Sequence, residues 1–121
     1  MADWRDVWDS HADAEAGRYD AMSVADMVAD IRGGRFGDYH TIWYALAKRA
    51  TPREAAWVLH DALASDAPYL ARYHCAAALL QLLHCADFEP VALSAARFPL
   101  AQNLAHMRAR IEAQVGARDR A

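Results

Sequence analysis

The chain has little of what builds sheets. Its 121 residues include three isoleucines and two threonines, and no stretch reads as a credible strand. No apolar run nears the roughly 18 residues that a membrane span requires, so no transmembrane helix is expected. No secretory leader is expected either. "MADWRDVWDS" is acidic where a leader starts basic and then turns apolar, so the expected location is cytoplasmic. Cysteine occurs twice, and in a reducing compartment both are expected as free thiols. There is no positive excess either. The net charge of −3 provides no general field for nucleic acid or an anionic membrane surface.

What remains is a helical composition. Apolar residues make up 55% and charged residues 24%, the profile of one ordinary globular domain with a core. Alanine is abundant, in runs such as "CAAALL". Charge is unevenly spread. Residues 1–30 hold eight acids against two arginines, residues 31–96 balance, and residues 97–121 come to +3. The acidic third suits a basic protein partner, and the opposed ends allow head-to-tail self-association.

The punctuation marks out five to six helices. Residues 1–17 form an N-terminal capping helix, with Trp4, Val7, Trp8 and His11 at helical spacing and Gly17 as its stop. Ser23 caps a second helix that Gly33 and Gly34 end, and a third carries "YHTIWYALAKRA". "TPRE" is a capping box: Thr51 is the cap, Pro52 the first helical residue and Glu54 the return acceptor. Ser65 or Asp66 caps the next helix, which runs to about Cys85. "EPVALSAAR" is a weaker helix. A last one carries Leu100, Leu104, Met107, Ile111 and Val115 on one face, and residues 116–121 fray.

Two of these segments repeat. "YHTIWYALAK" and "RYHCAAALLQ" align at an offset of 33, which sets Ala45-Leu46 on Ala78-Leu79 and Ile42 on Cys75. Asp66, Pro68, Arg72, Ala76, Ala78 and Leu79 stand where HEAT-like, armadillo-type repeats carry an aspartate, a proline, an arginine and an "AAxAL" helix. The chain resembles that family best over residues 51–83. It resembles it less over 23–50, where Tyr39 replaces the arginine and Gly33 the aspartate. The resemblance implies an all-α fold, a short right-handed stack of antiparallel helix pairs. Units 23–50 and 51–85 would lie between the capping helix and C-terminal helices over 88–115. It also implies that Asp66 and Arg72 steady the turn between paired helices.

Chemistry is thin. "RYHCAAALLQLLHC" doubles a His-Cys pair, but His74 and His84 are ten residues apart, about 15 Å along one helix, too far to share an ion. Cys75 aligns with apolar Ile42 and reads as core. No G-x-S-x-G, phosphate loop after a strand or paired carboxylate motif occurs, and "GGRFGD" reads as a turn. No catalytic residue, metal or cofactor is expected, nor any nucleic acid or membrane partner.

The candidate site is therefore a surface. If the aligned Ala-Leu pairs point inward, Thr41, Tyr44 and Lys48 project from one repeat helix. His74 and Gln81 project from the other, with His84 one turn on. Trp4 and Trp8 are secondary candidates, as packing for the first helix or as an aromatic anchor. The expected function is non-catalytic protein recognition of adaptor, regulatory or toxin-immunity type. The alternative is a small-molecule or cofactor pocket near the His74–His84 stripe, perhaps enzymatic, which would require convergent histidines in an enclosed cavity.

Overall fold

A computed structural model describes residues 4–118; residues 1–3 of the expected first helix and 119–121 of the expected frayed end lie outside it. The fold is all-α. Six α-helices are α1 (Trp4–Asp20), α2 (Val24–Arg32), α3 (Thr41–Arg49), α4 (Pro52–Leu63), α5 (Tyr69–Leu82) and α6 (Leu100–Val115), with a 3-10 turn at Pro90–Leu93. Packing runs in two rows. α1 lies against α3 and α3 against α5, while α2 lies against α4 and α4 against α6. The pairs α2–α3 and α4–α5 tie the rows together.

Burial follows the 33-residue offset. Ile42, Trp43, Ala45, Leu46 and Ala47 are buried in α3; Cys75, Ala76, Ala78, Leu79 and Leu80 are buried in α5. Small residues at these positions let the helix backbones approach, and their neighbours fill the space left over. The Cys75 thiol donates to the Leu59 carbonyl across 3.1 Å, and complete burial pushes its pKa far up. It is a core residue, and both cysteines are free.

Local signals set most of the helix ends. Ser23 accepts from the Asp26 amide, and the Thr51–Glu54 capping box is complete. α2 stops as the Gly34 amide bonds Ile31 and the Arg35 amide bonds Asp30, with Gly34 at φ 76°. This reciprocal closure needs a left-handed residue, which glycine adopts without strain.

Elsewhere tertiary contacts overrule the local signal. α1 passes through Gly17 to Asp20. A mid-helix glycine costs about 1 kcal/mol relative to alanine. Against that, Tyr19 is buried, and the Arg49 guanidinium donates to the carbonyls of Tyr19, Asp20 and Met22. At α5 the cap position belongs to Pro68, with no side-chain cap bond. Ser65 instead donates to Ala62 and accepts from the Ala67 amide, closing the preceding turn. Arg72 steadies that turn through backbone, from Nε to Ala67 at 3.0 Å and from its terminal nitrogen to Ser94 at 2.9 Å, while Asp66 is exposed. "EPVALSAAR" forms only the short 3-10 turn, because the Ser94 hydroxyl folds back on Pro90 and Asn103 takes the Ala92 carbonyl. α6 is then pinned by Arg110, which grips the Asp87 carboxylate.

Ala78 is fully buried and should tolerate no enlargement. Ala78→Leu is expected to destabilise by about 1–3 kcal/mol through overpacking, read as a lower urea midpoint at unchanged slope. An unchanged midpoint would mean that α5 does not press its alanine face on its neighbours.

Candidate functional site

The row α1–α3–α5 presents a band of aromatic and imidazole rings. At its centre the Tyr44 hydroxyl of α3 meets Nδ1 of His74 on α5 at 2.6 Å. The His40 ring stacks on His74 with centroids 4.8 Å apart and planes 15° off parallel. Tyr73 meets His74 edge-on at 5.5 Å, and Tyr69 lies 6.2 Å from Tyr73. Toward α1, Trp8 stands edge-on to Tyr39 at 4.5 Å, and His11 lies 6.0 Å from the same ring.

The loop before α3 places His40. Its backbone is left-handed at φ 61°, ψ 22°, a conformation uncommon outside glycine but enriched for histidine. The preceding amide, that of Tyr39, donates to the buried Glu15 carboxylate of α1 at 2.7 Å. Gly37, at φ 75°, lies so close to Glu15 that a Cβ there would collide with the carboxylate. Glu15 therefore holds the loop, and the loop presents His40 to His74. The His40 Nδ1 and Thr41 Oγ1 atoms are buried without hydrogen-bond partners.

Both members of the central hydrogen bond favour their neutral forms. Burial, and then the nearby His40, pull the His74 pKa below its ordinary value. Burial, and then Tyr73, push the Tyr44 phenol up. A neutral phenol donating to an unprotonated Nδ1 satisfies both, which leaves the other His74 nitrogen carrying the proton. The cluster thus offers polar, uncharged groups on aromatic surroundings, with the Lys48 ammonium on the same helix.

The expected stripe is only partly assembled. Tyr44 and His74 touch; Thr41 is half-buried; Lys48 and Gln81 are exposed on α3 and α5. His84 departs from the expectation. It lies beyond α5 at φ 55°, where its amide bonds Gln81 and the Cys85 amide bonds Leu80. It ends the helix in the place a glycine usually takes, so it is not one turn further along the stripe. Tyr39, His40 and Tyr73 belong to the band but had no helix-face argument behind them; their one signal was aromatic character beside the repeat. Glu15 had even less, sharing only the helical face of Trp4, Trp8 and His11.

A second buried imidazole lies on the other row. His60 of α4 packs edge-on to Trp57 at 5.6 Å, and both ring nitrogens lack partners. Burial is the main cause of its lowered pKa, with Arg118 and Arg108 adding to it against an opposing pull from the Leu104 backbone. Among the described residues no group of three or more His, Cys, Asp or Glu side chains is placed to hold a metal ion. Nor is any helix there long and apolar enough to cross a membrane.

In comparison with known proteins, no protein family, curated protein or solved structure matches the chain.

His60 and His74 both have folded-state pKa values below the unfolded value of about 6.5. The unfolded chain then binds more protons between the two values, so stability rises with pH there. Stability is expected to be fully present above about pH 6.5 and to fall as pH drops from there toward the folded values. In an NMR titration both rings should change charge below the ordinary histidine range. An ordinary midpoint for His74 would remove the neutral Tyr44–His74 pair.

Proposed function

We propose that the protein is a non-catalytic recognition domain working in the cytoplasm, of adaptor, regulatory or toxin-immunity type. In this reading α2–α3 and α4–α5 are two HEAT-like units of a short right-handed stack, and the α1–α3–α5 row is the face that meets a protein partner. Support for the repeat comes from the shared burial pattern at the 33-residue offset and from the two-row packing. Support for the face comes from one observation above the rest. The Tyr44–His74–His40 cluster joins the polar edges of two successive units into one aromatic platform. Rings of this kind give large contact area at small entropic cost, and tyrosine is enriched among residues that dominate binding energies.

The partner's chemistry follows from charge. α1, the first helix of this row, carries five acids against two arginines, so a basic protein is steered toward it. The platform is open. Of five clefts of about 310 to 500 Å³, two touch the α1 end of the band, through His11 and Tyr39 and through Trp8, and none of the five is lined by Tyr44, His74 or His84. That geometry favours a partner surface over the small-molecule alternative.

The test compares partner capture from the source cells by wild type and by Tyr44→Ala/His74→Ala. The double variant should keep the thermal midpoint within a few degrees, because Tyr44 is exposed and His74 only half-buried, and lose at least about tenfold in affinity. Lys48→Ala and Gln81→Ala should cost less, as positions at the rim. Equal capture by wild type and the double variant would sink this face as the binding surface. A small molecule retained by wild type in native mass spectrometry, and lost in His74→Ala, would replace the reading with the pocket alternative.

A further inference from the structure

α1 is anchored at one end only. Glu15 and Tyr19 are 4% and 3% exposed, and Arg49 holds the carbonyls of the last turn. Trp4, Trp8, His11, Glu15 and Tyr19 follow one another at spacings of four, three, four and four, so they share one helical face. Along that face burial runs out. Trp4 is 70% exposed, Val7 on its flank 49% and Trp8 50%, with the Tyr39 and Trp8 rings set edge to face. The packing face of α1 thus overhangs the core by two turns, with two tryptophans on it and a cleft lined by Trp4, Arg5, Trp8 and Asp9. Two half-uncovered indoles on one face are more apolar surface than a scattered exposed residue presents.

The charge of the overhang restricts what covers it. α1 carries five acids, Asp6, Asp9, Asp13, Glu15 and Asp20, against Arg5 and Arg18, a balance of −3. The complement is in the same chain. Residues 97–118 carry four arginines against Glu112, a balance of +3. The outward face of α6 is also unoccupied: Met107 and Ile111 face the core, while Ala101, Ala105, Ala109 and Ala113 are exposed with Arg108 among them. Large rings on an acidic helix meet small side chains on a helix of balance +1 that Arg97 and Arg118 flank, which suits close helix packing. Arg108 and Arg118 pair at present with exposed Glu112 and Asp61. Such surface pairs are weak and can be exchanged at little cost.

We infer that the overhang of α1 docks on the outward face of α6 of a second copy of this chain. The two faces are different and both lie at row ends, so the contact is heterologous. Each copy then offers one free face of each kind, and association continues beyond the dimer until a ring closes. A single helix–helix contact is small, so the association is weak and falls with salt. This inference does not rest on the proposed recognition role, whose central cluster lies on α3 and α5.

The test is sedimentation velocity of the full chain across a broad concentration range, at low and high salt. Wild type should gain mass beyond a dimer as concentration rises, and lose it in high salt. Trp4→Glu/Trp8→Glu blocks one face and Ala105→Glu/Ala109→Glu the other; all four positions are exposed, so the circular dichroism of both variants should match wild type. Each variant alone should stay monomeric. Mixed in equal amounts, they should form a dimer that does not grow, because one intact face of each kind remains. A wild type that is monomeric at every concentration overturns the inference. So does association of either variant alone, or a mixture that stays monomeric. Should the Tyr44–His74 cluster fail its own capture test, this result would be unaffected, since neither variant changes that pair and Ala105→Glu/Ala109→Glu leaves the whole row untouched.

Discussion

The buried Glu15 carboxylate is the contact on which the exposed face depends. It comes from α1, accepts the Tyr39 amide, and is pressed against Gly37. Burying a carboxylate is costly unless it is hydrogen-bonded, so the loop must bring the amide to it in one conformation. That conformation makes a tight left-handed turn at His40 and starts α3 at Thr41. α1 is docked by the same bond, with Arg49 closing the far side. One interaction thereby sets the position of a helix, the start of the next, and the imidazole that stacks on His74.

From that point packing becomes surface chemistry. α3 and α5 lie side by side because alanines and a cysteine occupy the buried positions where they approach other helices. Close approach brings Tyr44 within hydrogen-bond range of His74, a pair thirty residues apart in sequence. Partial burial keeps the two groups neutral, so the pair presents rings and hydrogen-bonding groups rather than charge. In the proposed reading, the charge that would steer a partner lies instead on α1, away from the groups that would make the detailed contacts. Separation of steering from recognition is common in interfaces, where peripheral charges act on association and central rings on persistence.

Much of the fold was legible in the sequence, for physical reasons specific to each segment. The box at Thr51–Glu54 is satisfied within four residues, so no distant contact can improve on it. The burial of Ala45, Leu46, Ala78 and Leu79 follows from helical period and the 33-residue repeat, both properties of the chain. Gly17 misled because its stop signal is worth about 1 kcal/mol, less than what burial of Tyr19 and the Arg49 bonds contribute together. "EPVALSAAR" misled because Ser94, Asn103 and Arg72 take backbone carbonyls that a helix would have used. His84 misled because a closing turn can recruit a non-glycine residue when the helix before it is held elsewhere.

The sequence by itself determined an all-α chain, the ends of its best-capped helices, and the side of α3 and α5 that faces inward. Those properties rest on interactions spanning four residues or fewer and on the period of one helix. Only the tertiary structure decided that Tyr44 meets His74, that His40 stacks beside them, that Glu15 is buried, and that the tryptophans of α1 lie beyond the core. Each of these depends on where a second helix lies, which no local period encodes. The candidate site was therefore readable as a list of exposed polar positions, while its working geometry came from the packing of three helices.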